Sequence, residues 1–324
     1  VSEATSYDSE GVKQPLTVSE AVKKHGVKTT LSRWERSKNY RTAALYLLPS
    51  FILFGLFMFY PMLNSLFLSF FFTDAQGEAT AFVGFENYTY LFQSETFRQS
   101  MKVTLLFVLY TVPTSVIISL FLAIIANEKL RGISFFRTIF ASTLGMSVAA
   151  SAVIWLFMFH PTAGILNAFL GAINLPSVSW LQDSTMALVS VALTTVWMNT
   201  GFAFLILLGG LQNIDDHLYE SARIDGAGYF YQLGRITVPM LSPTLFFIIT
   251  ITFINSFQSF GQVDILTGGG PAEATNLIIY SIYREAFVYY QFGPASAQVV
   301  VLFLAVLVLT LLQFKFGERK VHYQ

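Results

Sequence analysis

Two groups of residues interrupt an otherwise apolar chain and could do chemistry. The first is Glu220, Ser221, Ala222, Arg223, Asp225, Gly226 and Ala227, at the head of the stretch ESARIDGAGYFYQLGRITVPMLSP that runs from residue 220 to 243. Carboxylates and a guanidinium this close can form ion pairs, and Glu220 and Arg223, one helical turn apart, offer such a pair at the rim of the island. Ala222, Gly226, Ala227 and Gly228 keep the surface between them low, so that a partner could approach closely. That is the chemistry of docking, not of catalysis; the alternative is an ordinary amphipathic connector. The second group is Thr252, Asn255, Ser256, Gln258 and Ser259, all neutral donors and acceptors. Residues three and four apart share a helix face, so Thr252, Asn255, Ser256 and Ser259 form one stripe with Gln258 on its flank. Such groups, with aromatic rings nearby, suit a hydroxyl-bearing solute. Asn199, beside Trp197, Thr200 and Phe202, and Tyr110 offer the same chemistry from neighbouring segments. The alternative for the whole set is hydrogen bonding between helices, which Asn and Ser commonly supply in membranes.

The elements that must hold these residues are apolar helices. Of 324 residues, 54% are hydrophobic and 12% charged, and 33 are Phe. A soluble domain is nearer 25% charged. The apolar residues fall in blocks of about 20 or more, the length that crosses a hydrocarbon core of roughly 30 Å. Six blocks stand at approximately 44–72, 103–126, 138–159, 186–211, 241–262 and 295–314. The fold class expected is all-α, a polytopic membrane protein with six transmembrane helices. Pro49 and Pro61 punctuate the first span, Pro113 should kink the second, and the fifth is the most polar. The first block starts too late, and is too long, for a cleaved secretory signal.

Several classes are excluded. Without cysteine there is no disulfide or thiolate metal site. His25, His160, His217 and His322 are scattered and make no metal-ligand pair. Net charge is zero, so nothing draws the chain to nucleic acid. The cores of the six spans carry no Asp, Glu, Lys, Arg or His, so they hold no intramembrane proton relay. No phosphate-binding G-x-x-x-x-G-K-[ST] loop is present; the run Gly268, Gly269, Gly270 is followed by Pro271. Energy for uphill movement of a solute must then come from another chain.

Lys and Arg fix the orientation. The N-terminal tail, the loop after the second span, the island and the C-terminal tail hold sixteen of them; Arg98, Lys102 and Arg284 are the three on the other side. Both termini and the island are therefore expected in the cytoplasm. The basic stretch from about Thr17 to Lys38 is either an interfacial helix on the anionic leaflet or a disordered tail. Within the island, Asp215 or Asp216 should cap a helix over Leu218–Asp225, and Gly226 should end it in the left-handed conformation. A second short helix is expected from about Tyr229 to Thr237, with Pro239 and Pro243 setting the entry into the fifth span.

The island resembles the EAA loop of binding-protein-dependent ABC importer permeases. Glu220, Ala222, Asp225, Gly226, Ala227, Ile236 and Pro239 stand at matching positions; Ser221 replaces the usual Ala and Leu233 a common Phe. YLLPSFILFGLFMFYPMLNSLFLSF in the first span, GFENY at Gly84–Tyr88 and ILTGGGPAEAT at Ile265–Thr275 are similar to the carbohydrate-uptake branch, with its maltose-type and glycerol-3-phosphate-type permeases. An alginate-uptake permease is one candidate, although a polyanionic sugar would favour basic pathway residues and the spans hold none.

The resemblance implies a type I importer permease fold in the bacterial inner membrane. Its permease domain would span 43–317, with a coupling loop at about 212–240 and tails at 1–42 and 318–324. It also implies a heterodimer with a second permease, two ATP-binding cassette subunits that carry the ATP and Mg, and a solute-binding protein delivering the carbohydrate. The chain itself would be no enzyme and hold no cofactor. The seven island residues would contact the ATPase subunit; the span-five stripe, Asn199 and Tyr110 would line the solute's path. The GGGP run is expected as a tight external turn, a contact with the binding protein being the sharper alternative. A secondary carrier and a non-transporting scaffold are the rival classes.

Overall fold

The computed structural model describes residues 5–7, 13–15, 33–128 and 130–317. Most of the basic N-terminal stretch, residues 17–32, and the tail 318–324 lie outside the described residues. The chain divides into one unit ending at Met62 and another starting at Leu63.

In the first unit β1 (Thr5–Tyr7) pairs antiparallel with β2 (Lys13–Pro15), Thr5 opposite Pro15. Helix α1 (Arg33–Phe54) follows, with Pro49 inside it, and then a π-helical turn over Gly55–Phe59. Helix α2 (Tyr60–Leu68) crosses the division, and Ala44–Leu68 is long and apolar enough to cross a membrane.

The second unit is built around two long helices, α4 (Glu95–Asn127) and α8 (Ser184–Gln212). Small and hydroxylated residues let them approach. Ser100, Thr104, Thr111, Ser115, Ser119, Ala123 and Ala126 follow one another on α4 at spacings of three, four or seven, and all are buried. Away from water their hydroxyls need acceptors, and the helix supplies them. Thr104 donates to Ser100 O at 2.7 Å and Thr111 to Phe107 O at 2.8 Å. One apolar cluster gathers Phe107, Trp155, Phe159, Val191 and Val263; another, toward the opposite end, gathers Ala123, Phe204, Leu207, Leu211, Leu241 and Ile248.

Helix α4 begins at Glu95, eight residues before the expected span, because Ser94 caps it and Glu95 sits favourably in the first turn. Hydropathy follows apolar residues and misses such a polar first turn. Pro113 lies inside α4 without ending it. Asp183 caps α8, accepting from Thr185 N and Met186 N at 2.9 Å.

Four helices among the described residues could cross a membrane unbroken, and two bent pairs bring the total to as many as six. The expected third span is not one helix. Helix α5 (Ile133–Ala141) runs into a 3-10 turn at Ser142–Gly145, and α6 (Val148–Met158) leaves at 108°. Ser147 restarts the helix by accepting from Ala150 N at 3.2 Å, so a competing cap breaks the apolar run. The expected fifth span opens on a bend, where Tyr229–Met240 meets α12 (Ser242–Phe257) at 68° with Pro243 in the first turn of α12, and α12 stops at Phe257, short of the expected end at 262.

At one end a cap covers the bundle. It combines the hairpin β3 (Phe71–Thr73) with β4 (Ala79–Phe82), helix α3 (Glu86–Gln93), and the segment from α13 (Gly261–Leu266) to α14 (Ile278–Tyr283). The last helix, α15 (Phe292–Gly317), starts at this cap. Two short helices, α7 (Ile165–Ala172) after α6 and α9 (Asp216–Ile224) in the island, complete the framework.

Candidate functional site

The island occupies the end opposite the cap, beside the last turns of α4 and α8. Helix α9 is capped by Asp215, whose carboxylate accepts from His217 N at 2.9 Å. It stops in a Schellman turn: Ala227 N donates to Ala222 O at 2.9 Å, Gly226 N donates to Arg223 O at 3.0 Å, and Gly226 has φ +77°. This is why Asp-Gly-Ala follows the helix at that spacing. Ala222 supplies the carbonyl, Gly226 the left-handed residue and Ala227 the closing amide. Ser221 contributes its carbonyl, which accepts from Asp225 N at 3.1 Å.

Glu220 is exposed and lies 3.3 Å from His217; the expected pairing with Arg223 is not among the ion pairs of the described residues. Arg223 instead lines a cavity of about 330 Å³ behind α9, together with Asn127 and Glu128 of α4 and Tyr219, Gln232 and Thr237 of the island. Outward, the island mixes charged and apolar side chains, with Asp215, Glu220, Arg223 and Asp225 exposed among them. Ile224 is 86% exposed and Phe230 85%, with Tyr229 and Tyr231 also exposed.

After Gly228 the chain turns into α10 (Tyr229–Gln232), a π-helical turn at Leu233–Thr237 and α11 (Val238–Met240). Leu241 then packs on α8 at Gly210, where an added Cβ would lie 2.7 Å from the Leu241 side chain. Helix α12 carries the polar stripe from this point.

The stripe divides. Thr252 and Asn255 face a second cavity of about 210 Å³, shared with Met198, Asn199 and Phe202 of α8 and with Thr143, Leu144 and Met146 at the break after α5. Two polar atoms of this lining, Asn199 Nδ2 and Thr143 Oγ1, are buried without a hydrogen-bond partner in the protein. No charged side chain lines it. Ser256 turns to α4 instead, with its hydroxyl 2.9 Å from Thr111 Oγ1. Helix α12 ends at Phe257, so Gln258 is its C-cap residue and Ser259 lies beyond it, donating to Asn255 O at 3.2 Å. Gln258 borders an apolar groove formed with Phe260, Ile279 and Leu302. Tyr110 is exposed on α4 and is not part of the second cavity.

The cap end is closed by its own hydrogen bonds. Asn87, from GFENY, donates to Ser69 O at 2.9 Å and Phe71 O at 3.0 Å. Gly293 N donates to Thr73 Oγ1 at 3.1 Å. In the GGGP loop Gly268, Gly269, Ala272 and Glu273 all have positive φ, and Thr275 donates to Gly270 O at 2.7 Å. Arg284 donates to both Glu273 oxygens at 2.8 Å and to Tyr289 Oη at 2.8 Å; the bond to Glu273 raises the guanidinium's pKa further. Burial raises the carboxyl of the adjacent Glu285.

A family model described as the binding-protein-dependent transport system inner membrane component matches residues 93–322. The chain belongs to this family. Among the relatives of this inner-membrane component is the sn-glycerol-3-phosphate transport system permease protein UgpA of Yersinia pestis. It is 36% identical over 283 residues, covering 86% of this chain and 95% of that protein. The UgpA of Agrobacterium fabrum strain C58 is 35% identical over 282 residues with the same coverage. A crystal structure of a bacterial ABC transporter involved in the import of the acidic polysaccharide alginate aligns with a TM-score of 0.76 at 24% identity. The match covers 88% of this chain and 98% of that one. The fold is that of a type I ABC importer permease.

For this inner-membrane component, sequence reasoning missed Thr143 and the inner face of the island, Tyr219, Gln232 and Thr237. Thr143 sits in a Ser-Thr pair four residues before the capping Ser147, a cluster that marks a helix break inside an apolar run. The island residues had no such signal, since their contacts join positions up to 18 apart.

Proposed function

We propose that this chain is a transmembrane subunit of an ATP-driven importer, working beside a second, related permease and moving a carbohydrate handed over by a solute-binding protein. Residues 43–317 form its permease domain, and residues 1–42 and 318–324 its cytoplasmic tails. Two ATP-binding cassette subunits supply the energy, binding the ATP and Mg, and dock on the island through Glu220, Ser221, Ala222, Arg223, Asp225, Gly226 and Ala227.

The observation that carries this reading is the pair of large apolar side chains on the outward face of the island. Ile224 and Phe230 are each more than four-fifths exposed, beside the charged Glu220, at the end where the positive-charge pattern puts the cytoplasm. Covering either side chain with a partner would contribute about 1.5–3 kcal/mol. The solute's path runs past Asn199, Thr252 and Asn255, whose neutral groups fit hydroxyls. The uncharged lining favours a neutral saccharide. The relatives' names agree on binding-protein-dependent uptake but name anionic solutes, one being a sn-glycerol-3-phosphate permease and a structural neighbour being in complex with a periplasmic protein carrying an alginate pentasaccharide; the uncharged lining is this chain's own.

Reversing the charge of Glu220 tests the reading. Glu220→Lys should insert into the membrane normally, while co-purified ATPase subunits and ATP-driven uptake both fall about tenfold, the factor that ~1.4 kcal/mol of lost charge complementarity produces. Uptake at the parental rate removes the island from coupling.

A further inference from the structure

The island is not a loose loop hung between two spans. Its inner face is tied by a continuous run of hydrogen bonds. Tyr219 Oη of α9 lies 3.0 Å from Thr237 Oγ1, across 18 residues of sequence. Thr237 in turn donates to Gln232 O at 3.4 Å, and Gln232 Nε2 donates to Ala227 O at 2.7 Å. Ala227 N returns to Ala222 O on α9 at 2.9 Å. Gln232 and Thr237 are buried and Tyr219 is half-buried, and all three line the cavity behind α9. The loop closes on itself, and α9 cannot shift without taking Tyr229–Met240 along.

The other end of that segment has a defined bearing. At Leu241 the chain bends by 68° into α12 and rests on Gly210 of α8, where a Cβ would meet Leu241 at 2.7 Å and Thr244 at 2.8 Å. Glycine leaves a flat seat on which the bend can roll.

We propose that Tyr219, Gln232 and Thr237 are positioning residues that lock the docking helix α9 to the segment entering α12, making one lever that pivots on Gly210. Motion imposed on the island then appears at the cavity lined by Thr252 and Asn255. This rests on the island being the surface that an ATPase subunit moves.

The chain has no cysteine, so a single reporter can be placed cleanly. Ile251 lines the cavity without belonging to the polar set. In the complete transporter reconstituted with its ATPase subunits, an Ile251→Cys reporter is labelled by a membrane-impermeant maleimide with and without ATP. Adding Tyr219→Phe, which removes only the hydroxyl, should cut the ATP-dependent change in labelling about fivefold, the factor equivalent to ~1 kcal/mol for one lost hydrogen bond. ATPase co-purification and hydrolysis should stay within about twofold, as expected of a change away from the docking face. Thr237→Val, which keeps the shape but also removes the bond to Gln232 O, should lose at least as much, and the pair together no more than Thr237→Val alone, because both delete the Tyr219–Thr237 bond. A full labelling response in both single variants overturns the lever. If the parent chain with an intact latch neither holds the ATPase subunits nor responds to ATP, the docking reading fails and the lever falls with it.

Discussion

The two ends of the bundle are both built from loops and short helices, yet their hydrogen bonds reach across very different stretches of the chain. At the cap end hydrogen bonds tie hairpin, helices and loop to one another, while both polar side-chain atoms of Asn276 are buried without a partner and Phe82 and Phe85 stay exposed. Asn87 bonds two carbonyls, Thr275 closes the GGGP loop, Glu273 holds Arg284, and Ile278 N finds Thr104 Oγ1 at 2.8 Å. At the island end the internal bonds face inward, and Ile224, Phe230 and Tyr231 are left facing out. A surface that leaves large apolar side chains outside gains a great deal from a partner. The difference lies in reach: the cap is bonded across as many as 220 positions, from Gly293 to Thr73, and the island's Tyr219–Thr237 bond across 18.

The largest effect should come from the cap. Gly293 leaves no room for a side chain, since a Cβ would sit 2.5 Å from Phe71 O and 3.1 Å from Asn87 Nδ2. Gly293→Val therefore has to push the hairpin away from α15 and should cost about 3 kcal/mol or more. Thermal unfolding in detergent should show a melting point lowered by several degrees, or no recoverable folded protein. A melting point equal to the parent's would mean that the cap is as tolerant as the island, and the contrast would collapse.

Asn87→Ala is the intermediate case. It removes two hydrogen bonds and leaves the carbonyls of Ser69 and Phe71 short of a donor at a buried position. The expected loss is about 2 kcal/mol, smaller than for Gly293→Val because nothing is forced apart. Asn87→Asp should recover none of it, since a carboxylate cannot donate to those oxygens. Equal stability of Asn87→Ala and the parent, measured in the same unfolding assay, would show that GFENY is not a structural clasp.

How much of this could be read from the sequence differs between the two ends for a physical reason. The island was legible because its signals are local: Asp215 caps, Gly226 turns left-handed, and Pro239 and Pro243 punctuate the entry to α12. The spans were legible as apolar blocks, but their breaks were not. Hydropathy passes smoothly through Thr143, Gly145 and Ser147, although Ser147 starts a new helix there at 108° to the last. The polar stripe was legible only as a stripe. On a helix apolar all round, periodicity cannot say which neighbour each polar residue meets, so Thr252 and Asn255 face the cavity while Ser256 meets Thr111. The unpartnered pair Asn199 and Thr143 depends on α8 and the break after α5 meeting in space, at Gly201, where a Cβ would collide with Thr143 Oγ1.

The smallest effect on stability should be found at the island's outer face, and it sharpens the comparison most. Phe230 is 85% exposed and adds little to the folded chain, so Phe230→Ser should change stability by no more than about 0.5 kcal/mol in the same unfolding assay. Its apolar surface is nevertheless what a docked partner would cover, and losing that contact should weaken association by about 1.5–3 kcal/mol. Retention of the ATPase subunits on affinity-purified transporter should then drop at least tenfold while the melting point of the isolated chain stays put. A variant that loses stability and keeps its partners would reverse the assignment, because Phe230 would then belong to the chain's own packing. Only a side chain whose contacts are supplied by another molecule can leave the melting point untouched and the assembly broken.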